Sequence, residues 1–484
     1  MKKSIGANAL LNGIRTMLNL LFPLITFPYV ARVLGVDNVG KYNFALSINQ
    51  YLLLIAALGI STYAVREGAK YRDDPEKISN FASQVFTINV FSTLFAYLVM
   101  IFCLMEVRKF DDYRILIIVF SIELIFTTIG TEWVYTIFEE YKYITIRSIV
   151  FKLLSIVLLL TLVKKPEDYI LYAGITVFAN AGSNILNYIH LRKICRVRLV
   201  RKTDWKRHLK PILIIFASTL ATSIYVNSDI TMLGLLATDY EVGIYSVSAK
   251  IYRIVKQMLA AVLVVSIPRL AMLMGQGRKE EYQKLFIKIF NVLTALVFPA
   301  VIGLFMTSKE IVLLIAGKEY INAVPSLRLL AVALTLCIFG WLFNQCVMMP
   351  AKRETTVLVA TIISAIANIL INIVLIPSLK ENAAAISTIA AEGIMLVVCV
   401  WFGMRITKLD FSVIRNALSV LIGCAVICLT CIGIRVIGLS TAMTLILCIG
   451  ASCITYAISL LLMKNANAYE LLDKFRAKIR KKSN

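Results

Sequence analysis

Apolar segments long enough to cross a membrane recur along almost the whole chain. A helix needs ~20 mostly apolar residues to cross the ~30 Å hydrocarbon core of a bilayer. Windows of that length give fourteen segments in the 484 residues, and the loops between them are too short for a catalytic domain. The segments lie near 9–34, 42–65, 81–105, 114–138, 148–163, 169–190, 211–236, 242–270, 285–306, 326–348, 356–376, 383–403, 415–438 and 441–463. The sequence therefore predicts an all-α polytopic membrane protein with about fourteen transmembrane helices.

Composition excludes a soluble protein. Hydrophobic residues make up 59% of the chain and charged residues 16%, whereas soluble domains average about 45–50% and about 25%. The formal net charge of +23 would suggest nucleic-acid binding in a soluble chain. With the N-terminus in the cytosol, however, the cytosolic segments carry 31 Lys and Arg and the outer loops carry 8. This asymmetry follows the positive-inside rule, so we expect both termini in the cytoplasm and no nucleic-acid partner.

Two basic segments are expected to lie on the membrane surface. The segment 191–210 is interpreted as a cytosolic linker lying on anionic lipid headgroups, with a protein-binding site as the alternative. Its nine cations are Arg192, Lys193, Arg196, Arg198, Arg201, Lys202, Lys206, Arg207 and Lys210. The tail at 464–484 has an apolar helical side flanked by lysines. That pattern is typical of an amphipathic helix at the membrane interface.

Motifs for enzymatic chemistry are missing from the sequence. Nine of the ten cysteines lie in apolar stretches and only two histidines occur. We therefore expect packing cysteines, with neither a disulfide framework nor a metal site. No Gly-rich run ends in Gly-Lys-Ser/Thr, so a P-loop is absent. We predict no cofactor and no enzyme activity.

An internal duplication is visible about 203 residues apart. The string DNVGKY at 37–42 joins the first two segments, and DYEVGIY at 239–245 joins the seventh and eighth. A repeat of six crossings, an even number, gives both halves the same orientation. We expect two parallel six-helix lobes around a central cavity, as in transporters that rock one bundle against the other. The predicted parts are an N-terminal lobe at 1–190, a basic linker at 191–210, a C-terminal lobe at 211–403, two extra helices at 404–463 and the tail at 464–484.

Polar residues at membrane depth mark the candidate substrate site. A charge there costs about 2.5–3.5 kcal/mol on insertion scales, so it should face a water-filled cavity or a partner. The candidates are Asn12, Arg15 and Asn19 on one face of the first segment and Lys250, Arg253 and Lys256 at helical spacing in the eighth. A cationic cavity attracts an anion such as pyrophosphate, which Arg holds through two hydrogen bonds and Lys as a point charge. The alternative for these cations is a buried ion pair that serves packing.

Carboxylates inside the segments are candidates for ion coupling. Asp229, Glu123 and Glu392 lie in the seventh, fourth and twelfth segments. A buried carboxylate binds a proton or a sodium ion, or it pairs with a buried cation. The sequence leaves both interpretations open.

Several strings resemble the polysaccharide-export (Wzx-type) oligosaccharide flippases of the multidrug/oligosaccharidyl-lipid/polysaccharide exporter superfamily. They are VARVLGVD at 30–37, GKYNFA at 40–45, LGIS and AVRE within 58–67, EW at 132–133 and YKYIT at 141–145. The resemblance is strongest over residues 1–160. It implies alternating access that carries an undecaprenyl-pyrophosphate-linked oligosaccharide across the bacterial inner membrane, and cavity cations that matter for transport. It also implies partners such as the polysaccharide polymerase.

Two other functions fit the same span pattern. An ion-coupled multidrug or organic-cation antiporter of the same fold needs an essential carboxylate, and the cationic helix faces argue against it. A non-transporting scaffold in a glycan assembly complex would tolerate neutralisation of every deep charge. The resemblance and the sign of the deep charges favour the flippase.

Overall fold

The structure is helical throughout the part of the chain that it describes. This computed structural model describes the backbone of residues 5–465 and 468–469, and the side chains of residues 13, 22–410, 413–465, 468 and 469. Within these residues, thirteen helices are long and apolar enough to cross a membrane. The first of them, Phe22–Tyr71, covers the second predicted crossing and the later part of the first. The predicted all-α polytopic fold is confirmed.

The first two crossings are joined by a bend, not by a loop. Helix α1 (Ile5–Ala57) leaves helical backbone angles only at Gly35, where φ is 74° and ψ is 173°. Residues with a β-carbon hardly ever adopt these angles, so the bend requires glycine. The gap between the first two predicted segments, 35–41, is therefore helical apart from Gly35 and does not form a loop. One glycine redirects the chain, and the polar residues that follow stay helical; Asn38 donates to the Leu34 carbonyl over 3.1 Å.

Residues up to Gly243 form the first of two compact units. Its helices after α1 are α2 (Ile60–Gly68), α3 (Pro75–Glu106), α4 (Arg114–Gly130), α5 (Glu132–Ile137), α6 (Tyr141–Leu162), α7 (Tyr169–Val177), α8 (Asn184–Leu191) and α9 (Trp205–Leu236). A π-helical turn, Phe178–Gly182, connects α7 to α8 and completes the sixth crossing. Helix α1 packs against α3, α4, α6 and α9, which makes it the centre of the unit.

The second unit begins at Ile244. Helix α10 (Asp239–Gly275) starts in the first unit and continues into the second. It is followed by α11 (Lys279–Ile315), α12 (Ala323–Phe343), α13 (Glu354–Leu379), α14 (Glu381–Gly403), α15 (Phe411–Val436) and α16 (Thr441–Leu462). Helix α14 packs between α12 and α13, whereas α15 and α16 pack on α11. The contact boundary at 243 places α9 in the first unit; the predicted lobe boundaries remain a prediction.

Local sequence explains how the helices begin and which faces they expose. Helix α3 starts at Pro75, whose missing N–H costs nothing at this position. The preceding Asp74 accepts hydrogen bonds from the backbone N–H groups of Glu76 and Lys77. Exposed helix faces carry large apolar side chains; Val265, for example, is 81% exposed. Apolar faces of this extent suit lipid and would be unstable in water.

Candidate functional site

The cationic face predicted on the eighth crossing lies on α10. Lys250, Arg253 and Lys256 are all partly buried, and their spacing of three residues keeps them on one side of the helix. Lys250 and Arg253 are close enough to repel each other electrostatically. Two neighbouring like charges at this depth need an anion, water or another partner.

Lys256 has an internal partner. Its Nζ lies 3.4 Å from Oε1 of Glu392 on α14, and the Tyr252 hydroxyl donates to the same oxygen over 3.5 Å. The Cys337 thiol on α12 also hydrogen-bonds to Lys256 and Glu392. Glu392 is only 5% exposed, so its charge is balanced inside the protein by the Lys256 ammonium.

Arg253 differs from Lys256 in its surroundings. Among the described residues, the Arg253 guanidinium forms no ion pair and no hydrogen bond, although it is partly buried. Guanidinium offers five N–H donors in a planar fork that matches phosphate oxygens. Of the three predicted cations on α10, Arg253 is therefore the best placed to hold an anion.

The other half of the predicted substrate site is on the first crossing. The side chains of Asn12, Arg15 and Asn19 lie outside the described residues. Their assignment remains a prediction from spacing.

Glu123 on α4 is a buried carboxylate held by amides. Oε2 accepts a hydrogen bond from Nδ2 of Asn49 on α1 over 3.2 Å. The Asn180 amide, in the π-helical turn of the sixth crossing, makes a second hydrogen bond. Glu123 is 8% exposed, and none of the described Lys, Arg or His side chains pairs with it. Spacing alone did not predict Asn49 as a partner of Glu123.

Asp229 on α9 faces α1. It is 8% exposed and lies near the phenol of Tyr51. Two residues further along α9, the Thr231 hydroxyl donates to the Ser47 hydroxyl of α1 over 3.0 Å. Asp229 thus belongs to a polar contact between α1 and α9, separate from Glu123. Its interpretation as an ion-coupling residue stays a prediction.

The two copies of the Val-Gly-x-Tyr string make equivalent hydrogen bonds within their own units. The Tyr42 hydroxyl lies 2.9 Å from the Thr176 hydroxyl, and the Tyr245 hydroxyl lies 3.5 Å from the Thr388 hydroxyl. The tyrosines differ by 203 in number and the threonines by 212. These contacts set the register of the sixth crossing against the twelfth at Thr176 and Thr388.

Within the first unit, the glycine of each string packs against backbone atoms at or next to the start of the other string. A β-carbon on Gly40 would lie 1.8 Å from the carbonyl oxygen of Asp239, and one on Gly243 would lie 2.2 Å from that of Val36. Both pairs are related by the 203-residue offset. The contacts are reciprocal, and each needs glycine because a methyl group cannot occupy space held by backbone atoms.

The alignment shows that the Glu123 and Glu392 sites are equivalent places. The 203 offset takes Asn49 to Tyr252, and the 212 offset takes Asn180 to Glu392. In the first unit, Asn49 and Asn180 flank Glu123, while in the second unit Tyr252 and Lys256 contact Glu392. We call the cluster of Asn49, Glu123 and Asn180 the first node. The cluster of Tyr252, Lys256 and Glu392 is the second node.

The basic linker is anchored to α3 through its backbone. The N–H groups of Arg196, Arg198 and Val200 donate to the hydroxyls of Ser79, Ser83 and Thr87, over 3.1–3.3 Å. Those hydroxyls are four residues apart, so they form a row along one helix face. All nine predicted cations of 191–210 are exposed. Between them Cys195 points inward, and burial raises the pKa of its thiol to about 11.

The described residues contain no group of three or more His, Cys, Asp or Glu side chains arranged to hold a metal ion. The candidate site combines the cationic face of α10 with three buried carboxylates, Glu123, Asp229 and Glu392, on a duplicated helical scaffold. These features define a polytopic membrane protein with buried polar sites at equivalent positions in two repeats. The chain belongs to the polysaccharide biosynthesis protein family, which matches residues 5–274.

Relatives agree with this family. A putative O-antigen transporter of Escherichia coli (strain K12) is 24% identical over 414 residues, covering 83% of this chain and 97% of the relative. A putative O-antigen transporter of Shigella dysenteriae is 25% identical over 388 residues, covering 76% and 91%. These relatives are named as transporters and not as enzymes, as the sequence predicts for this chain.

Solved structures share the fold. The lipid II flippase MurJ in an inward closed conformation superposes with a TM-score of 0.74 at 15% identity, covering 95% of this chain and 99% of that one. An inward-facing multidrug resistance MATE family transporter of the MOP superfamily gives 0.58 at 14% identity, covering 79% and 94%. The superfamily fold expected from the resemblance is confirmed.

Proposed function

We propose that this protein is a flippase for lipid-linked oligosaccharides. In this proposal it moves an undecaprenyl-pyrophosphate-linked repeat unit from the cytosolic to the outer leaflet of the bacterial inner membrane, for surface polysaccharide assembly. Family membership, the O-antigen transporter relatives and the fold shared with a lipid II flippase support it. The excess of Lys and Arg in the predicted cytosolic segments supports cytoplasmic termini.

The substrate assignment rests on the surroundings of Arg253. It is partly buried in an apolar helix of 37 residues and lacks a counter-charge among the described side chains. A pyrophosphate supplies the missing charge and accepts two parallel hydrogen bonds from the guanidinium. Lys250, one helical turn earlier, adds a second positive charge. Lys256 contributes less in this proposal because Glu392 already neutralises it.

The remaining elements of the predicted site extend the proposal to the first crossing. Arg15 is assigned to the same anion, and Asn12 and Asn19 are assigned to sugar hydroxyls. Alternating access then exposes the cationic cavity first to the cytosol and then to the outside, as in other transporters with repeated bundles.

The linker is proposed to hold the protein against anionic lipid. Its nine cations are exposed, and its backbone at 196–200 is hydrogen-bonded to one face of α3. Trp205, at the start of α9, is 39% exposed and contacts Phe91 with ring centroids 5.5 Å apart. Tryptophan favours the headgroup level of a bilayer, so the linker lies at the depth of lipid phosphates.

Binding of undecaprenyl pyrophosphate to the purified protein in detergent tests the substrate assignment. Loss of one charge-assisted contact costs about 1.5–3 kcal/mol, so Arg253→Ala should weaken binding by about 10- to 100-fold. Arg253→Lys should lose less, because it keeps the charge but not the fork. Arg278→Ala is the matched control: Arg278 is exposed and pairs with Glu281 on a surface turn.

Export in cells gives the second readout. In a strain that lacks the native gene, Arg253→Ala should reduce surface polysaccharide while the amount of protein stays normal. Unchanged binding and unchanged export by Arg253→Ala would contradict the anion site. Export of cationic dyes that depends on a carboxylate would favour the antiporter instead, and tolerance of every charge neutralisation would favour the scaffold.

A further inference from the structure

The two nodes bury one carboxylate each, but only one node contains its own cation. In the second node the Lys256 ammonium lies 3.4 Å from Glu392. In the first node Glu123 is held by Asn49 and Asn180, and none of the described cationic side chains contacts it. An unneutralised carboxylate is costly to bury. A mobile cation is therefore expected at the first node where the second has a lysine.

Burial favours a proton as that cation, because an isolated buried carboxylate is neutralised by binding one. Asn49 is fully buried, and while its Nδ2 donates to Glu123 its Oδ1 has no partner. An ionised carboxylate only accepts hydrogen bonds, so it cannot satisfy this oxygen. A protonated carboxyl group has one O–H to donate. With the Asn49 amide turned by half a rotation, that O–H donates to Oδ1, and Nδ2 takes the position that has no partner; each protonation state of Glu123 thus has its own matching orientation of Asn49.

We propose that Glu123 is a proton-binding site that is loaded and unloaded during the transport cycle. A hydronium ion transfers one proton to the Glu123 carboxylate and leaves water; unloading is the reverse. No other reactant is needed. The assignment of this proton as a coupling ion rests on the function proposed above.

A route to the node is present in the sixth crossing. Asn180 is exposed, yet it hydrogen-bonds to the buried Glu123. It lies in the π-helical turn Phe178–Gly182, a distortion that frequently occurs at functional sites. An exposed amide in the middle of a crossing is unfavourable against lipid, so we place water beside it. Asn180 is then the relay between that water and Glu123.

The groups around Glu123 do not compete for the proton. The elements packed on α4 are α1, α3, α7, α8, the π-helical turn Phe178–Gly182 and the short helix Arg108–Tyr113. From these, Tyr42 of α1 is the titratable group that interacts with Glu123, and Tyr172 of α7 stacks on Tyr42 with ring centroids 4.5 Å apart. Phenols are neutral from about pH 5 to pH 8. They therefore exchange no proton over this range, and Glu123 is the carboxyl group at this node that can.

Thermal unfolding of the detergent-solubilised protein between about pH 5 and pH 8 tests the assignment without any substrate. A group that binds its proton more tightly in the folded state stabilises the protein at low pH, and this contribution is lost as the pH rises. Relative to Glu123→Gln, the wild-type unfolding midpoint should therefore fall by roughly 2 °C or more across this range. Glu123→Asp should keep the wild-type pH dependence. The exposed Glu319→Gln, a matched control, should keep it as well.

Replacing KCl by NaCl at about pH 8 and constant ionic strength distinguishes a proton from sodium. A rise in the wild-type midpoint that is specific to sodium and absent from Glu123→Gln would overturn the proton assignment. Superimposable pH profiles of wild type and Glu123→Gln would overturn it too. Neither result bears on undecaprenyl pyrophosphate binding by Arg253. Conversely, normal binding of undecaprenyl pyrophosphate by Arg253→Ala defeats the anion site at Arg253 while leaving the pH difference at Glu123 standing.

Discussion

The first and second nodes occupy equivalent places in a duplicated scaffold, yet they balance a buried carboxylate in different ways. The second node uses a lysine, Lys256, beside Glu392. The first node uses two amides and brings its carboxylate from a different crossing, since Asn180 stands where the second unit has Glu392. The comparison teaches that the helical frame was retained after duplication while the charges were rearranged. The second node is an ion pair within the protein, whereas the first node in our proposal depends on a mobile cation.

Both copies of the Val-Gly-x-Tyr string have a glycine in close contact with backbone atoms. Breaking either contact should lower stability more than any other change considered below. A β-carbon on Gly40 or Gly243 would lie within 2.2 Å of a carbonyl oxygen, closer than any repacking of side chains relieves. We expect Gly40→Ala and Gly243→Ala each to lower the free energy of unfolding by at least about 3 kcal/mol. Unfolding in detergent measures the loss.

Gly303→Ala on α11 is the control for helix propensity. Nothing lies within 4 Å of the position that its β-carbon would take. Alanine is the better helix former by about 1 kcal/mol, so this variant should be at least as stable as wild type. Equal stability of Gly40→Ala and Gly303→Ala would show that the reciprocal glycine contact is not required.

Removing the cation of the second node should have the next largest effect. Lys256→Met leaves the Glu392 charge buried without its partner, and such changes cost 3–5 kcal/mol in fully buried pairs; with about a third of the Lys256 side chain exposed, we expect roughly 2–3 kcal/mol. The double variant Lys256→Met/Glu392→Gln should recover most of the loss at neutral pH. By contrast, Glu123→Gln in the first node should cost less than about 0.5 kcal/mol, because no buried ion pair is broken.

The test compares the loss in free energy of unfolding caused by Lys256→Met with the loss caused by Glu123→Gln. A Lys256→Met variant as stable as wild type would mean that Glu392 is neutral without its lysine. A Glu123→Gln variant as unstable as Lys256→Met would mean that the first node contains a cation which the described contacts do not include. Either result would remove the contrast on which the proton assignment is built.

The sequence predicts the membrane crossings and the internal duplication of this protein better than it predicts the contacts between its helices. Apolar segments fix crossings because a bilayer demands about 20 such residues each, and two short strings were enough to show the duplication. The bend at Gly35 was missed since hydropathy falls at 37–41 whether the chain forms a loop or a helix. The linker was also only half predicted: its exposed cations were expected, but not the hydroxyl row of Ser79, Ser83 and Thr87 that anchors it.

The candidate site divides in the same way. Helical spacing placed Lys250, Arg253 and Lys256 on one face, but it gave no means of telling which of them is paired. Lys256 and Glu392 are 136 positions apart, and Asn49 and Glu123 are 74 apart. Periodicity reports which side of a helix a residue occupies. It contains no information on which helix faces that side, so partners across a bundle need the structure.

The smallest expected effect concerns the tyrosine–threonine contacts that set the alignment of the two halves. At 2.9 Å the Tyr42–Thr176 contact is a good hydrogen bond, whereas the 3.5 Å of Tyr245–Thr388 is at the outer limit. Double-mutant cycles with Tyr→Phe and Thr→Val isolate each pairwise contribution from the other contacts of the same side chains. We expect a coupling free energy of about 1 kcal/mol for the first pair and less than about 0.5 kcal/mol for the second. Equal coupling free energies would mean that the Tyr42–Thr176 and Tyr245–Thr388 contacts stabilise their halves equally. The difference between the halves would then be confined to the charges of the nodes.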